Sequence, residues 1–351
     1  MVADRVERKR LVRVTRLATL AVTLILFLTA AFGFIEVWIV VGMALAQGVV
    51  RAVELPADQA LLANVVPPLD LGNAVALTSM TQHGSRAVGP LLAGPMLATV
   101  GVEGAYAISA IFVLLGYVYI RRVETSSRGG VSRLADVMVN LREGASYIAR
   151  TPAVLWMFVL VFAHCSLTMS FDAMLPGFAE TELHSPAGGF TVMTFGIGLG
   201  ALIGTFVLAI TRIRQRGALL LGTAVASGLS PVFMGLSMNL VPATLSATLI
   251  GSSQAMFMAL TAVLLQEVLP DALRGRVMSL YLMSAGGIMA VMNLGFGALA
   301  DHTGHPVLFI APGLAFVAVT LLSPLAVSHF RRIYRTGTMT SPALPEALPG
   351  A

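Results

Sequence analysis

The sequence predicts an all-α membrane protein, a bundle of about ten apolar helices arranged as two related halves. Three observations predict it. Of 351 residues, 57% are hydrophobic and 11% charged, with a mean hydropathy of +0.86, whereas about a quarter of the residues in a soluble domain are charged. The apolar residues fall into runs of the length that crosses a hydrocarbon layer, about 20 residues per helix. The 22 lysines and arginines gather in every second connection between those runs, the distribution that keeps basic loops in the cytoplasm.

In chain order the runs cover 17–34, 37–53, 74–100, 105–120, 154–178, 190–210, 217–236, 240–265, 277–299 and 307–327. Arg5, Arg8, Lys9, Arg10, Arg13 and Arg16 precede the first run, and the other basic clusters lie in 121–150, RIRQRG (212–217), PDALRGR (270–276) and RRIYR (331–335). The intervening connections GFIE, GVEG, AETELHSPAGG, SMNLVP and ADHTGHP hold no Lys or Arg, and only Arg51 and Arg86 fall within or at the end of a run. Both termini are therefore expected in the cytoplasm. Topology also accounts for the pI near 9.9, so no nucleic-acid partner is expected. The basic opening before an apolar run has the order of a signal peptide, but the run is longer than a signal core and nine more follow, which makes it a membrane helix. The tail, TGTMTSPALPEALPGA, lacks apolar periodicity and is expected to be disordered.

Cys165 is the only cysteine, which excludes an internal disulfide and a CxxC site. The six histidines show no metal-ligand spacing on a shared helix; His302 and His305, three apart on an outer connection, read as solvated. No metal or cofactor is expected. The sequence also holds no nucleotide-binding motif, and His164 and Asp172 would stand about 12 Å apart along a helix, too far for a base and its orienting partner. An enzyme is not expected.

Sliding the chain on itself by 203 places, the distance from Gly101 to Gly304, aligns Gly48 with Gly251, Pro67 with Pro270, Gly72 with Gly275, Gly84 with Gly287 and Gly94 with Gly297. About fifteen positions match between Gly48 and Gly101 without a gap. Coincident Gly and Pro mark backbone approaches and breaks, not hydrophobicity alone. The offset lays the second, third and fourth runs on the eighth, ninth and tenth. Three runs precede residue 240 in the later copy and one precedes residue 37 in the earlier. The expected organisation is an incomplete N-terminal half of four helices (1–120), a cytoplasmic linker (121–152) with the amphipathic stretch LADVMVNLREGASYI, a C-terminal half of six helices (153–330) and a tail (331–351).

Two six-helix halves joined by a basic loop resemble the major facilitator superfamily. Its signature between helices two and three, G-x-x-x-D-R-x-x-R-R/K, is similar to DRVERKRLV from Asp4, with the family glycine falling one place before Met1. The resemblance thus implies ten of an expected twelve helices, an N-terminally truncated form without helices one and two. PADQALLANVVP (56–67), SRAVGPLLAG (85–94) and LPDALRGRVMSLY (269–281) resemble the drug:proton antiporter branch that includes enterobactin exporters and macrolide efflux pumps. Ser85, Gly89, Pro90 and Gly94 stand in its fifth-helix antiporter motif, with Ser85 and Ala93 where glycine is commoner.

For Asp4, Arg5, Arg8 and Lys9 the resemblance implies a cytoplasmic latch, in which the carboxylate meets an arginine and a helix N-terminus; the plain alternative is a positive anchor for the first helix. Gly89-Pro90 and the series Gly196, Gly200, Gly204 read first as close helix packing. Ionisable groups at membrane depth are functional candidates. His83 and Arg86 share a face, and Arg86 serves either coupling or a structural ion pair. His164, Thr168 and Asp172, at i, i+4 and i+8, are expected on one helix face, Asp172 being either functional or a plain exposed carboxylate near the outer interface. The family's cavity-lining helices add Gln47, Arg51, Ser252, Ser253 and Gln254. The expected function is an inner-membrane secondary exporter of a small amphiphilic, drug-like or siderophore-like molecule, coupled to protons by alternating access. Its partners would be that substrate, protons and the bilayer, with no oligomer required at full length. The alternative is a transport-inactive membrane protein that acts through association.

Overall fold

An apolar chain in lipid has to satisfy its own backbone N–H and C=O groups, and a single segment does so only as a helix. The computed structural model describes residues 8–67, 101–123, 134–210 and 216–339, with scattered positions between 70 and 100. Among them all regular structure is helical. Among the described residues, nine helical segments are long and apolar enough to cross a membrane. The tenth expected run, 74–100, is described only at isolated helical positions, Ser85, Val88 and Gly89 among them.

One compact unit comprises residues 1–82 and 89–137. It contains α1 (Arg8–Ala31), α2 (Val37–Val65) and α3 (Val102–Arg122). α1 begins well before the apolar run, so Arg10, Arg13 and Arg16 are helical. α2 likewise continues past Val53 through PADQALLANV and stops at extended Val66, before Pro67. Leu11 and Val12 of α1 meet Ala57 and Leu61 of α2, with Val53 and Ile120 against them. Beside this cluster Arg16 reaches Glu54 at 2.7 Å and Asp58 at 2.8 Å. Gly101, at φ +100°, turns the chain into α3, whose Glu103 at the start and Arg121 and Arg122 at the end complement the helix dipole.

The second unit comprises residues 83–88 and 138–351, beginning inside α4 (Leu134–Arg150). It continues with α5 (Pro152–Leu167), a 3-10 turn (Asp172–Met174), α6 (Leu175–Thr181), α7 (Pro186–Ile210), α8 (Arg216–Gly235), α9 (Leu240–Val268), α10 (Asp271–Thr303), α11 (His305–Ala326) and α12 (Ser328–Thr336). The small-residue series on α7 is the tightest contact. A Cβ on Gly204 would stand 2.6 Å from the Ser252 carbonyl oxygen and one on Gly196 3.1 Å from that of Thr244, while Gly200 lies against Thr248 and Gly251 against Ile197. Close backbone approach of this kind replaces the hydrophobic drive that helices lack in lipid. A second crossing joins α8 and α11, where a Cβ on Gly313 would stand 2.6 Å from the Gly228 carbonyl oxygen.

One expectation is corrected. RRIYR is not merely a basic connection: it lies within α12, whose Phe330, Ile333 and Tyr334 are buried and whose carbonyls at Ile333 and Tyr334 lie against Gly217. The packing expected at Gly89-Pro90 falls where most of the neighbouring residues lie outside the described ones. Residues 340–351, most of the tail expected to be disordered, lie outside the described residues.

Candidate functional site

The expected single helix over 154–178 is interrupted. α5 ends at Leu167, Thr168 takes φ −121° and ψ −14°, and helical structure returns only at the Asp172–Met174 turn. Short hydroxyl side chains return to the backbone at the break, and side chains from other helices take up the backbone groups it frees. Thr168 Oγ1 donates to the His164 carbonyl at 2.9 Å and Ser170 Oγ to that of Cys165 at 2.7 Å. The Thr168 carbonyl, which a continuing helix would give to the Asp172 N–H, accepts instead from Gln254 Nε2 of α9 at 2.5 Å. On the far side the Ala173 N–H donates to Asn293 Oδ1 of α10 at 3.2 Å. This break lies inside the apolar segment Pro152–Thr181, where irregular backbone is tolerated only if protein or a polar cavity supplies its partners.

His164 stands one turn before the break and is fully buried. Its Nε2 and Ser227 Oγ of α8 share a hydrogen bond of 2.7 Å, with Thr168 Oγ1 3.5 Å from the same hydroxyl. The ring tilts against Phe257 at 4.2 Å between centroids and meets Phe316 edge-on at 5.1 Å. Among the described residues, His164 Nδ1, Ser230 Oγ and Thr320 Oγ1 are buried polar atoms without a hydrogen-bond partner. The structure thus gathers His164, Thr168 and Gln254 with Ser227, a residue sequence reasoning did not select; a lone Ser in ASGLSP carries no signal of its own.

Asp172 does not join them. The interruption takes it off the α5 face, and it is exposed in the 3-10 turn. Ser253 is buried with its hydroxyl returned to the Leu249 carbonyl at 2.7 Å, and Ser252 is half-buried beneath the α7 glycines. In the other unit, Gln47 Nε2 donates to Thr19 Oγ1 at 3.4 Å and Arg51 is exposed, with no ion pair among the described residues. Of the antiporter-type motif, Ser85 and Gly89 are exposed helical positions. Pro90, Gly94, His83, Arg86, Asp4 and Arg5 lie outside the described residues; Arg8 opens α1 and Lys9 is half-buried. His305, expected to be solvated, covers Gly177 with its ring and lies 3.3 Å from Thr181 Oγ1.

Chemically the site is a donor and acceptor array inside an apolar wall. Among the described residues no three His, Cys, Asp or Glu side chains group as a metal site. What it offers is hydrogen bonding at a break in a membrane helix.

The family described as transmembrane secretion effector matches residues 1–345. The chain is similar to the staphyloferrin A transporter of Staphylococcus aureus (strain NCTC 8325 / PS 47), 24% identical over 332 residues that take in 92% of this chain and 81% of that protein. It is similar too to the MFS-type transporter YfiS of Bacillus subtilis (strain 168), 23% identical over 345 residues, 92% of this chain and 78% of that one. Among solved structures, a POT family transporter in complex with thioalcohol conjugated peptide superposes with a TM-score of 0.73 at 12% identity, covering 94% of this chain and 83% of that one. A D-xylose-proton symporter does so with a TM-score of 0.64 at 15% identity, covering 91% and 81%. At such identities the structural likeness is one of fold.

Proposed function

The chain belongs to the transmembrane secretion effector family of major facilitator transporters, and from that membership we propose that it exports a small amphiphilic, siderophore-like or drug-like molecule in exchange for protons. It is a multi-pass membrane transporter. The observation that carries the finer reading is the polar break between Thr168 and Met174. Gln254 and Asn293 supply hydrogen-bond partners to backbone at membrane depth, and discontinuous helices of this kind form substrate sites in secondary transporters. Alternating access of two halves would expose that region first to one side and then to the other. The name of one relative, staphyloferrin A transporter, supports a small-molecule cargo, and the basic connections support cytoplasmic termini in the inner membrane.

The test uses everted membrane vesicles carrying the full chain. Staphyloferrin A and a fluorescent cationic dye are supplied outside, and a proton gradient is imposed. Expected is uptake of one of them into the vesicles, abolished by a protonophore and accompanied by proton movement the other way. Uptake that survives the protonophore overturns proton coupling, and movement only in the opposite direction overturns export.

A second reading is favoured by Arg51. An exposed guanidinium stands in a helix whose neighbours Val37, Trp38, Leu45 and Val49 are also exposed, and a charge in such surroundings calls for a partner. That partner would belong to another chain in an association protein. A monomer in detergent that binds ligand normally argues against it.

A further inference from the structure

We propose that the groove between α4 and the start of α10 binds the phosphate headgroup of an anionic phospholipid. The groove, about 520 Å³, is lined by Val139, Arg142, Glu143, Ser146, Tyr147 and Arg150 of α4 and by Leu273 of α10. Its floor is fixed. Gly144 lets α4 lie against α10, a Cβ there standing 2.9 Å from Leu280 Cδ1 and 3.4 Å from the Arg276 carbonyl oxygen. Glu143 pairs with Arg276 across the same contact.

That pairing decides the charge of the groove. The one carboxylate is already neutralised, while Arg142 and Arg150 are exposed and make no ion pair among the described residues. Arg142, Ser146 and Arg150 follow at four-residue spacing, so they share one helix face, with each arginine about 6 Å along the axis from the serine. A phosphate over the Ser146 hydroxyl lies within reach of both guanidiniums, whose planar donors suit phosphate oxygens.

The level in the membrane selects a lipid as the source of that phosphate. Arg150 stands two residues before the apolar segment that begins at Pro152, and Leu273 opens the one that runs to Thr303. The groove therefore opens where headgroups lie. Val139, Leu273 and Tyr147 provide apolar surface for the first methylenes beneath a headgroup. α4, with its buried Ile148 on one side and charges on the other, has the form of a helix lying along an interface. Basic side chains beside a membrane segment recognise anionic lipid in this way.

The test titrates the delipidated full chain in detergent with phosphatidylglycerol or phosphatidylcholine and counts bound lipid by native mass spectrometry. Phosphatidylglycerol is expected to be retained at least about tenfold more tightly, and R142Q/R150Q to lower that affinity by about 10- to 30-fold with an unchanged melting midpoint for the lipid-free protein. S146D, which places a negative charge between the arginines, is expected to act in the same direction and carries the test if the double variant melts early. Equal retention of the two lipids, or undiminished phosphatidylglycerol binding in a folded variant, overturns the proposal. Displacement of the lipid by millimolar inorganic phosphate also overturns it, assigning the groove to free phosphate.

Discussion

Gln254 and Thr168 are 86 residues apart in the chain, yet the side-chain amide of one donates to the backbone carbonyl of the other at 2.5 Å. Removing the donor leaves a buried carbonyl unpaired. Gln254→Leu is expected to cost about 1–3 kcal/mol and to lower transport more than expression. Gln254→Glu can donate only while its carboxyl is protonated, so it should be the milder of the two. Thermal unfolding in detergent and vesicle uptake check both.

The His164 cluster predicts an order of effects. Ser227→Ala takes away the one hydrogen bond that a fully buried ring makes among the described residues and should cost about 1–3 kcal/mol. Ser230→Ala and Thr320→Val remove hydroxyls that have no partner among the described residues, so they should be neutral or stabilising. Melting midpoints of the three variants give the order directly; equal losses would contradict it.

Gly251 and Gly48 occupy matching places in the 203-residue repeat but differ in surroundings. Gly251 lies against the Ile197 carbonyl, whereas nothing among the described residues stands within 4 Å of a Cβ on Gly48. Gly251→Ala and Gly200→Ala should each destabilise by about 1–3 kcal/mol through forced separation of α7 and α9. Gly48→Ala should gain up to about 1 kcal/mol from helix propensity. Denaturant titration of the purified variants distinguishes the two cases.

Arg16 predicts a pH dependence. Burial raises the Asp58 carboxyl above the ordinary carboxylate range, Arg16 opposes that rise, and Glu54 adds to it. A carboxyl raised in the folded state contributes stability that is fully present below its unfolded pKa and is lost as pH rises through the folded value. In Arg16→Gln the opposing cation is gone and the Asp58 carboxyl moves further up. The variant should match the parent in acid, where Asp58 is protonated in both, and fall behind it towards neutrality. The expected deficit there is about 1–3 kcal/mol, below that of a fully buried pair because Arg16 is one-third exposed. Unfolding measured from pH 3 to pH 8 checks the sign.

Much of the helical arrangement was legible because lipid imposes a minimum apolar length. Four-residue glycine spacing likewise announced the α7 contact, since a missing Cβ leaves a mark that survives averaging. The break at Thr168 left none. Apolar residues continue through it, hydroxyl side chains are tolerated in membrane helices, and the decisive donor comes from Gln254 on another helix. Asp172 was therefore placed on a face that does not exist. Gln254 itself was selected as a cavity residue on family resemblance, not for the backbone bond it makes. Arg16 read as one more positive residue on the inner side; only folding reveals that Glu54 and Asp58, one turn apart on α2, converge on it.

Cys165 is the chain's sole thiol, fully buried beside Met169, its Sγ 4.0 Å from that residue's Sδ. A polar maleimide will thus find no native target in the folded protein, and the wild-type chain serves as its own thiol-free background. Cysteines introduced at the exposed positions 51 and 172 would then report their access to each side of a vesicle, with and without a proton gradient. Turnover could be followed as a change in labelling rate, with no need to know the cargo beforehand.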